Sequence, residues 1–219
     1  MKILYIANLF TGLKVSIKNN IWLPEGVPTV YNFLNNLNKN FNKSEILFLS
    51  SDNDVQEMKS HYVEKLDSPI FIFKKRNKSF LKIYNYIKFC LLFLKILIFI
   101  RKSKPDVIYI DRANFLIAIL LKIFTKKKII WRLMGITLPL HRFTNSKKLS
   151  SLIFRILLKI KLDLVICTQD GSGGKEWMDK YLNNKTKKTI LINGYDKYFD
   201  SSNFLAKEVA KKYKKRTLS

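Results

Sequence analysis

Asp163-Leu-Val-Ile-Cys-Thr-Gln-Asp-Gly-Ser-Gly-Gly174, with the short amphipathic run Lys175 to Leu182 and then Ile190-Leu-Ile-Asn-Gly-Tyr-Asp-Lys-Tyr-Phe199, decides the fold class. Its order is an apolar strand, a glycine-rich turn, a helix and a second apolar strand, the grammar of parallel strands joined by a helical crossover. Further upstream the same alternation recurs. Strands are expected at Lys2 to Asn8, Ser44 to Ser50, Pro69 to Phe73, Asp106 to Asp111, Lys128 to Met134, Asp163 to Thr168 and Thr189 to Ile192. Helices are expected at Pro28 to Lys39, about Ser79 to Lys102, Asn114 to Phe124, Lys147 to Lys161 and Gly174 to Leu182. Short apolar runs bounded by turn residues suit strands covered on both faces, so the fold class is α/β, a doubly wound, mostly parallel Rossmann-like sheet.

The 219 residues suffice for one large domain, expected over residues 1–200. Residues 201–219, with a helix expected at Asn203 to Tyr213, form the start of an interdomain linker or a frayed tail. The first apolar run, Met1 to Asn8, is too short for a signal peptide and reads as a strand. Cys90 and Cys167 both sit in apolar runs, so they read as reduced core residues of a cytoplasmic protein, and no metal site is expected.

Lys plus Arg number 41 against 16 Asp plus Glu, a formal charge of +25, which favours anionic partners. An A+T-rich coding sequence would give the same Lys, Asn and Ile excess. Nucleic acid is disfavoured as a partner because no recognition motif accompanies the charge. From Leu81 to Ile100 the chain has the length of a membrane span, but Lys88 and Lys95 argue against one, since a lysine at mid-span costs about 2.5–3.5 kcal/mol. Lys88, Lys95 and Lys102 recur every seven residues and share one helical face, as do Lys148, Arg155 and Lys159 on a later helix. Two readings stay open: sheet-covering helices with their cations in water, or basic amphipathic elements that lie on an anionic membrane surface.

Asp170-Gly-Ser-Gly-Gly-Lys175 follows a strand and opens a helix, where backbone N–H groups hold anions. It matches neither a Walker motif nor the Gly-x-Gly-x-x-Gly fingerprint, because Glu176 stands where each needs another residue. A tight turn using glycine for positive φ explains the loop equally well. Arg132, near the end of a strand, is a candidate for an acidic or phosphate-bearing group, or else forms an ordinary ion pair. His141 follows in a loop near the same end, where a lone histidine is more often solvated than catalytic.

The closing phrase Ile190 to Phe199 resembles the "I-x-N-G-V-D-x-x-x-F" signature of family 4 retaining glycosyltransferases of the GT-B fold, at the end of their N-terminal domain. Lys104-Pro-Asp-Val-Ile-Tyr-Ile110 and Ile129 to Ile136 are similar to two further strands of that domain, and Thr168 to Gly174 resembles a variant phrase of the superfamily. The resemblance covers residues 1–200. It implies an acceptor-binding domain whose cleft is lined by Arg132, Gly135, His141, Thr168, Asp170, Gly171 and Asn193. Gly12 and Gly26, after the first strand, stand where the family places a glycine-rich loop for the donor phosphates, although the usual adjacent glycine pair is missing. The implied co-substrate is a nucleotide-sugar, with no other cofactor. The implied partners are a sugar acceptor, lipid-linked or polysaccharide, an anionic membrane surface at the inner face, and a donor-binding domain or subunit. That last partner would supply the Glu-x7-Glu element, which nothing here matches in context; a noncatalytic membrane-surface protein retaining the fold is the alternative.

Overall fold

The computed structural model describes residues 1–9, 11–20, 33–34, 36–37, 40–41, 43–51, 57–63, 66–75, 82–112, 114–136, 138–146, 148–169 and 173–192. The strands are β1 Lys2–Asn8, β2 Lys43–Ser50, β3 Met58–Val63, β4 Leu66–Lys74, β5 Val107–Asp111, β6 Lys128–Leu133, β7 Leu164–Gln169 and β8 Lys187–Ile192. They form one sheet in the order β3-β4-β2-β1-β5-β6-β7-β8. All neighbours pair in parallel except β3, which runs antiparallel to β4 at the outer edge. The expected doubly wound, mostly parallel sheet is therefore what the chain forms.

The helices are α1 Thr11–Lys18, α2 Lys82–Ser103, α3 Phe115–Phe124, α4 Leu138–Asn145, α5 Leu149–Leu158 and α6 Gly174–Tyr181. Of the helix expected at Pro28 to Lys39, residues 33, 34, 36 and 37 are helical, as is residue 40, and the rest lies outside the described residues. The helix expected at Asn203 to Tyr213 also lies outside them.

Alternation along each strand builds two cores. Leu4, Ile6, Leu47, Ile108, Ile110, Ile129 and Trp131 face one side, where α2, α3, α5 and α6 cover them. Ile3, Tyr5, Ile46, Phe48, Ile70 and Tyr109 face the other, against Leu13 and Ile17 of α1 and the helical residues Leu34 and Leu37. Burying one such side chain fully is worth about 1.5–3 kcal/mol. At the opposite end of the sheet from the crevice described below, the Asp163 carboxylate accepts from Lys122 Nζ at 2.6 Å and the Ile129 amide at 2.8 Å, tying α3, β6 and the start of β7 together. Partial burial pushes that carboxyl up, but the Lys122 hydrogen bond, the Ile129 amide and nearby lysine charges outweigh it and hold it below its usual range.

The expectations for Cys90, Gly12 and His141 are corrected. Cys90 is exposed, because α2 turns Leu92, Phe93, Ile96 and Ile100 to the sheet and leaves its second apolar side outward; Cys167 is buried as expected. Gly12 and His141 lie on α1 and α4 rather than in loops. No described helix is long and apolar enough to cross a membrane.

Candidate functional site

β1 and β5 lie side by side, yet the chain leaves β1 for α1 on one face of the sheet and β5 for α3 on the other. Divergence of this kind opens a crevice at the carboxyl ends of the two strands, the usual ligand position in an open α/β sheet. The strand-end residues Asn8 and Asp111 therefore define the site.

Among the described residues, three cations stand around them. Lys75, just past β4, donates from Nζ to Asn8 Oδ1 at 2.6 Å and to Asn114 Oδ1 at 3.0 Å. Asn114 in turn donates to the Asp111 carbonyl at 3.2 Å, so the ends of β1, β4 and β5 are laced together by side chains. Burial lowers the Lys75 ammonium to about 8. Arg112 Nε lies 3.1 Å from Asp111 Oδ2, an ion pair not aligned as a hydrogen bond, while Asp111 Oδ1 has no partner among the described residues. Burial raises the Asp111 carboxyl, opposed by the Arg112 and Arg132 charges and by the Tyr5 hydroxyl, which hydrogen-bonds it.

Arg132 projects from β6 on the same side as Asp111, its guanidinium carbon 5.7 Å from the Phe33 ring centre. Phe33, Tyr5 and Tyr109 form an aromatic triangle with centroids 5.0–5.6 Å apart. Burial pushes the Tyr109 phenol up to about 12, against the pull of Arg132, so it stays protonated as a hydrogen-bonding group. Lys75, Arg112 and Arg132 against Asp111 leave the crevice cationic, suited to a phosphate or carboxylate.

Arg112 holds a left-handed backbone conformation, φ 53°, which costs a non-glycine residue of order 1–3 kcal/mol. Two bonds hold it there: its amide donates to the Arg132 carbonyl at 2.8 Å, and its carbonyl accepts the Trp131 indole N–H at 2.9 Å. The same turn faces a second compartment. A cavity of about 780 Å³ lies between α3, α4, α5 and the start of α2, with Trp131 and Leu133 as its floor and Arg112 and Gly135 at its crevice end.

Of the residues expected at the cleft, Arg132 is in the crevice, and Gly135, at φ 78°, makes the turn after β6 that closes the cavity. Thr168 is buried at the end of β7, with its hydroxyl 3.9 Å from Met134 Sδ. His141 is exposed on α4. Gly26, Asp170, Gly171 and Asn193 lie outside the described residues. Gly173 supplies the positive φ, 71°, that the tight-turn reading required, and Gly174 brings α6 against β7: an added Cβ would meet Cys167 Sγ at 2.5 Å. Asn8, Lys75, Asp111, Arg112 and Asn114 were not singled out from the sequence. Asp111 and Arg112 could have been, as polar residues at the carboxyl end of an apolar parallel strand.

The basic helix residues divide. Lys95 pairs with Glu57 at 3.0 Å, Lys88 sits 4.2 Å from the Tyr84 ring centre, and Lys159 donates to the Lys180 and Leu182 carbonyls. Lys102 and Lys148 are exposed and Arg155 is half-buried.

No family model matches the chain, and no curated protein matches it significantly. Among solved structures it is similar to sucrose-phosphate synthase from Thermosynechococcus elongatus, 8% identical with a TM-score of 0.55 over 86% of this chain and 47% of that one. A shorter chain of the same synthase is 11% identical over 99% of both chains, with a TM-score of 0.51. Identities this low speak for the fold alone. The chain thus spans about half the length of the full synthase, and it has the Rossmann-like α/β fold of one half of GT-B glycosyltransferases.

Proposed function

We propose that this chain is the acceptor-binding half of a GT-B glycosyltransferase, which passes a sugar from a nucleotide-sugar donor to a lipid-linked or polysaccharide acceptor. A donor-binding domain or subunit would complete the cleft, facing the carboxyl ends of the strands. The observation that carries this reading is the cationic crevice of Lys75, Arg112 and Arg132 at the switch point of a sheet shaped like half of a sugar-transferring synthase. Arg112 and Arg132 would hold an anionic group of the acceptor, and Asp111 would orient Arg112. No general base is assigned. The further expectations from the family resemblance, cytoplasmic location at the inner membrane face and roles for Asp170, Gly171 and Asn193 in the cleft, belong to the same proposal. So does donor-phosphate contact by Gly26; Gly12, being within α1, has less reason for such a role.

The test is transfer of radiolabelled sugar from a panel of uridine and guanosine diphosphate sugars to membrane extract, with this chain alone and joined to a donor-binding Rossmann-like domain. Transfer only in the joined form, lost in Arg132→Gln, is the expected result. Failure of every joined form to transfer would count against the reading. A noncatalytic membrane-surface protein is favoured by a different observation, the exposed Tyr86, Leu91, Leu94, Leu149 and Ile156 beside basic residues on α2 and α5. Vesicle binding without any effect of nucleotide sugars would support it.

A further inference from the structure

We propose that the cavity between α3, α4 and α5 binds one aliphatic chain of an anionic membrane lipid, whose phosphate rests at Arg112. This rests on the acceptor-binding reading for the assignment of the lipid as a substrate, though not for the binding itself.

The cavity volume of about 780 Å³ falls within the range of about 300–1,000 Å³ typical of ligand sites. Phe115, Trp131, Leu133, Leu140, Phe154 and Leu157 make its wall a hydrocarbon surface, so an aliphatic chain meets its solvation needs there and a sugar does not. At the crevice end stands a cation, Arg112, with 38% of its side chain exposed. The opposite rim runs into outward-facing Leu116, Leu149, Leu152 and Ile153, all at least 42% exposed. Lys148 flanks that rim at the start of α5 and Arg155 follows within the helix. An apolar channel with a cation at the crevice end and an apolar, basic surface at the other matches a lipid drawn partly out of a bilayer. A free sugar phosphate would use the cation and leave the channel empty.

The probe is dodecyl phosphate carrying a terminal diazirine, photolysed with the full chain, the adducts being mapped by peptide mass spectrometry. Label is expected on Phe115, Leu140 and residues 150–157, and excess unlabelled dodecyl phosphate should remove it. Ser150→Trp, an exposed position on the cavity wall, should lower labelling about tenfold without changing the circular dichroism spectrum. Leu116→Trp, on the facing wall, should do the same, which guards against a misfolded single variant. Arg112→Gln should abolish the preference for dodecyl phosphate over dodecanol. Label spread over the outer faces of α2 and α5, indifferent to both tryptophans, would overturn the proposal. So would wild-type labelling by dodecanol as strong as by the phosphate, since the cation would then play no part. Labelling as expected with no sugar transfer in the joined form would leave the cavity standing and remove only the substrate assignment.

Discussion

The Trp131 indole donates to the Arg112 carbonyl at 2.9 Å, so the floor of the cavity holds the turn that carries a crevice cation. Trp131 is almost wholly buried, and its ring also packs at a tilt against Phe115, centroid to centroid 4.9 Å. Replacing it with Phe removes the indole donor, strands the Arg112 carbonyl and leaves a small void. A loss of about 2–4 kcal/mol in unfolding free energy is expected from urea titration. A change under about 0.5 kcal/mol, the usual range for a surface substitution, would mean the bond contributes little.

Lys75 should titrate near 8, well below the 10.5 of an unperturbed lysine. Carbon-13 dimethylation and NMR would follow its resonance through the titration. The folded value lies below the unfolded one, so the unfolded chain binds more protons between them. Stability therefore rises as pH increases from about 8 toward 10.5, and the penalty of the buried charge is in full force below 8. Lys75→Met should flatten that part of the profile. A lysine spectrum with every resonance above pH 10 would contradict the buried geometry.

Gly174→Ala should destabilise the chain by about 1–3 kcal/mol, because the new methyl collides with Cys167 Sγ. The collision is with one sulfur atom. Cys167→Ala in the same chain should return part of the loss, so the double-mutant cycle gives a favourable coupling; strict additivity would show that the contact is not the cause.

Much of the fold was legible because parallel strands buried on both faces must be apolar throughout, and seven such runs could be read directly. β3 escaped because Met58-Lys-Ser-His-Tyr-Val63 is a half-polar edge strand, with β4 alone beside it among the described residues. α1 escaped because Leu13 and Ile17 alone mark its buried side, too few for a periodic pattern. α4 carries Pro139 near its start, where proline suits a helix but from sequence reads as loop. Cys90 was misplaced because α2 is apolar on two sides, and sequence cannot say which side meets the sheet. At the site, Arg132 could be found from its strand end, whereas Lys75 depends on a meeting of residues 8, 75 and 114 that only the strand order creates.

Vesicle binding should depend on Lys148 and Arg155 more than on Lys95 or Lys159, which already have protein partners. Each cation near an anionic surface contributes about 1 kcal/mol, so Lys148→Gln with Arg155→Gln should weaken flotation with phosphatidylglycerol vesicles about thirtyfold. Added salt should weaken the wild type in the same direction. Unchanged flotation in the double variant would remove α5 from any membrane contact.

The reversed outer strand has one more consequence. Pairing between β3 and β4 slips twice, between Lys59 and His61 and again between His61 and Val63. A strand whose pairing register breaks twice in six residues is bent and irregular, and so a poor template for a second molecule to pair with. Growth of the sheet into fibrils or strand-swapped pairs is disfavoured on that side by backbone geometry, whatever charge the solution leaves on the chain.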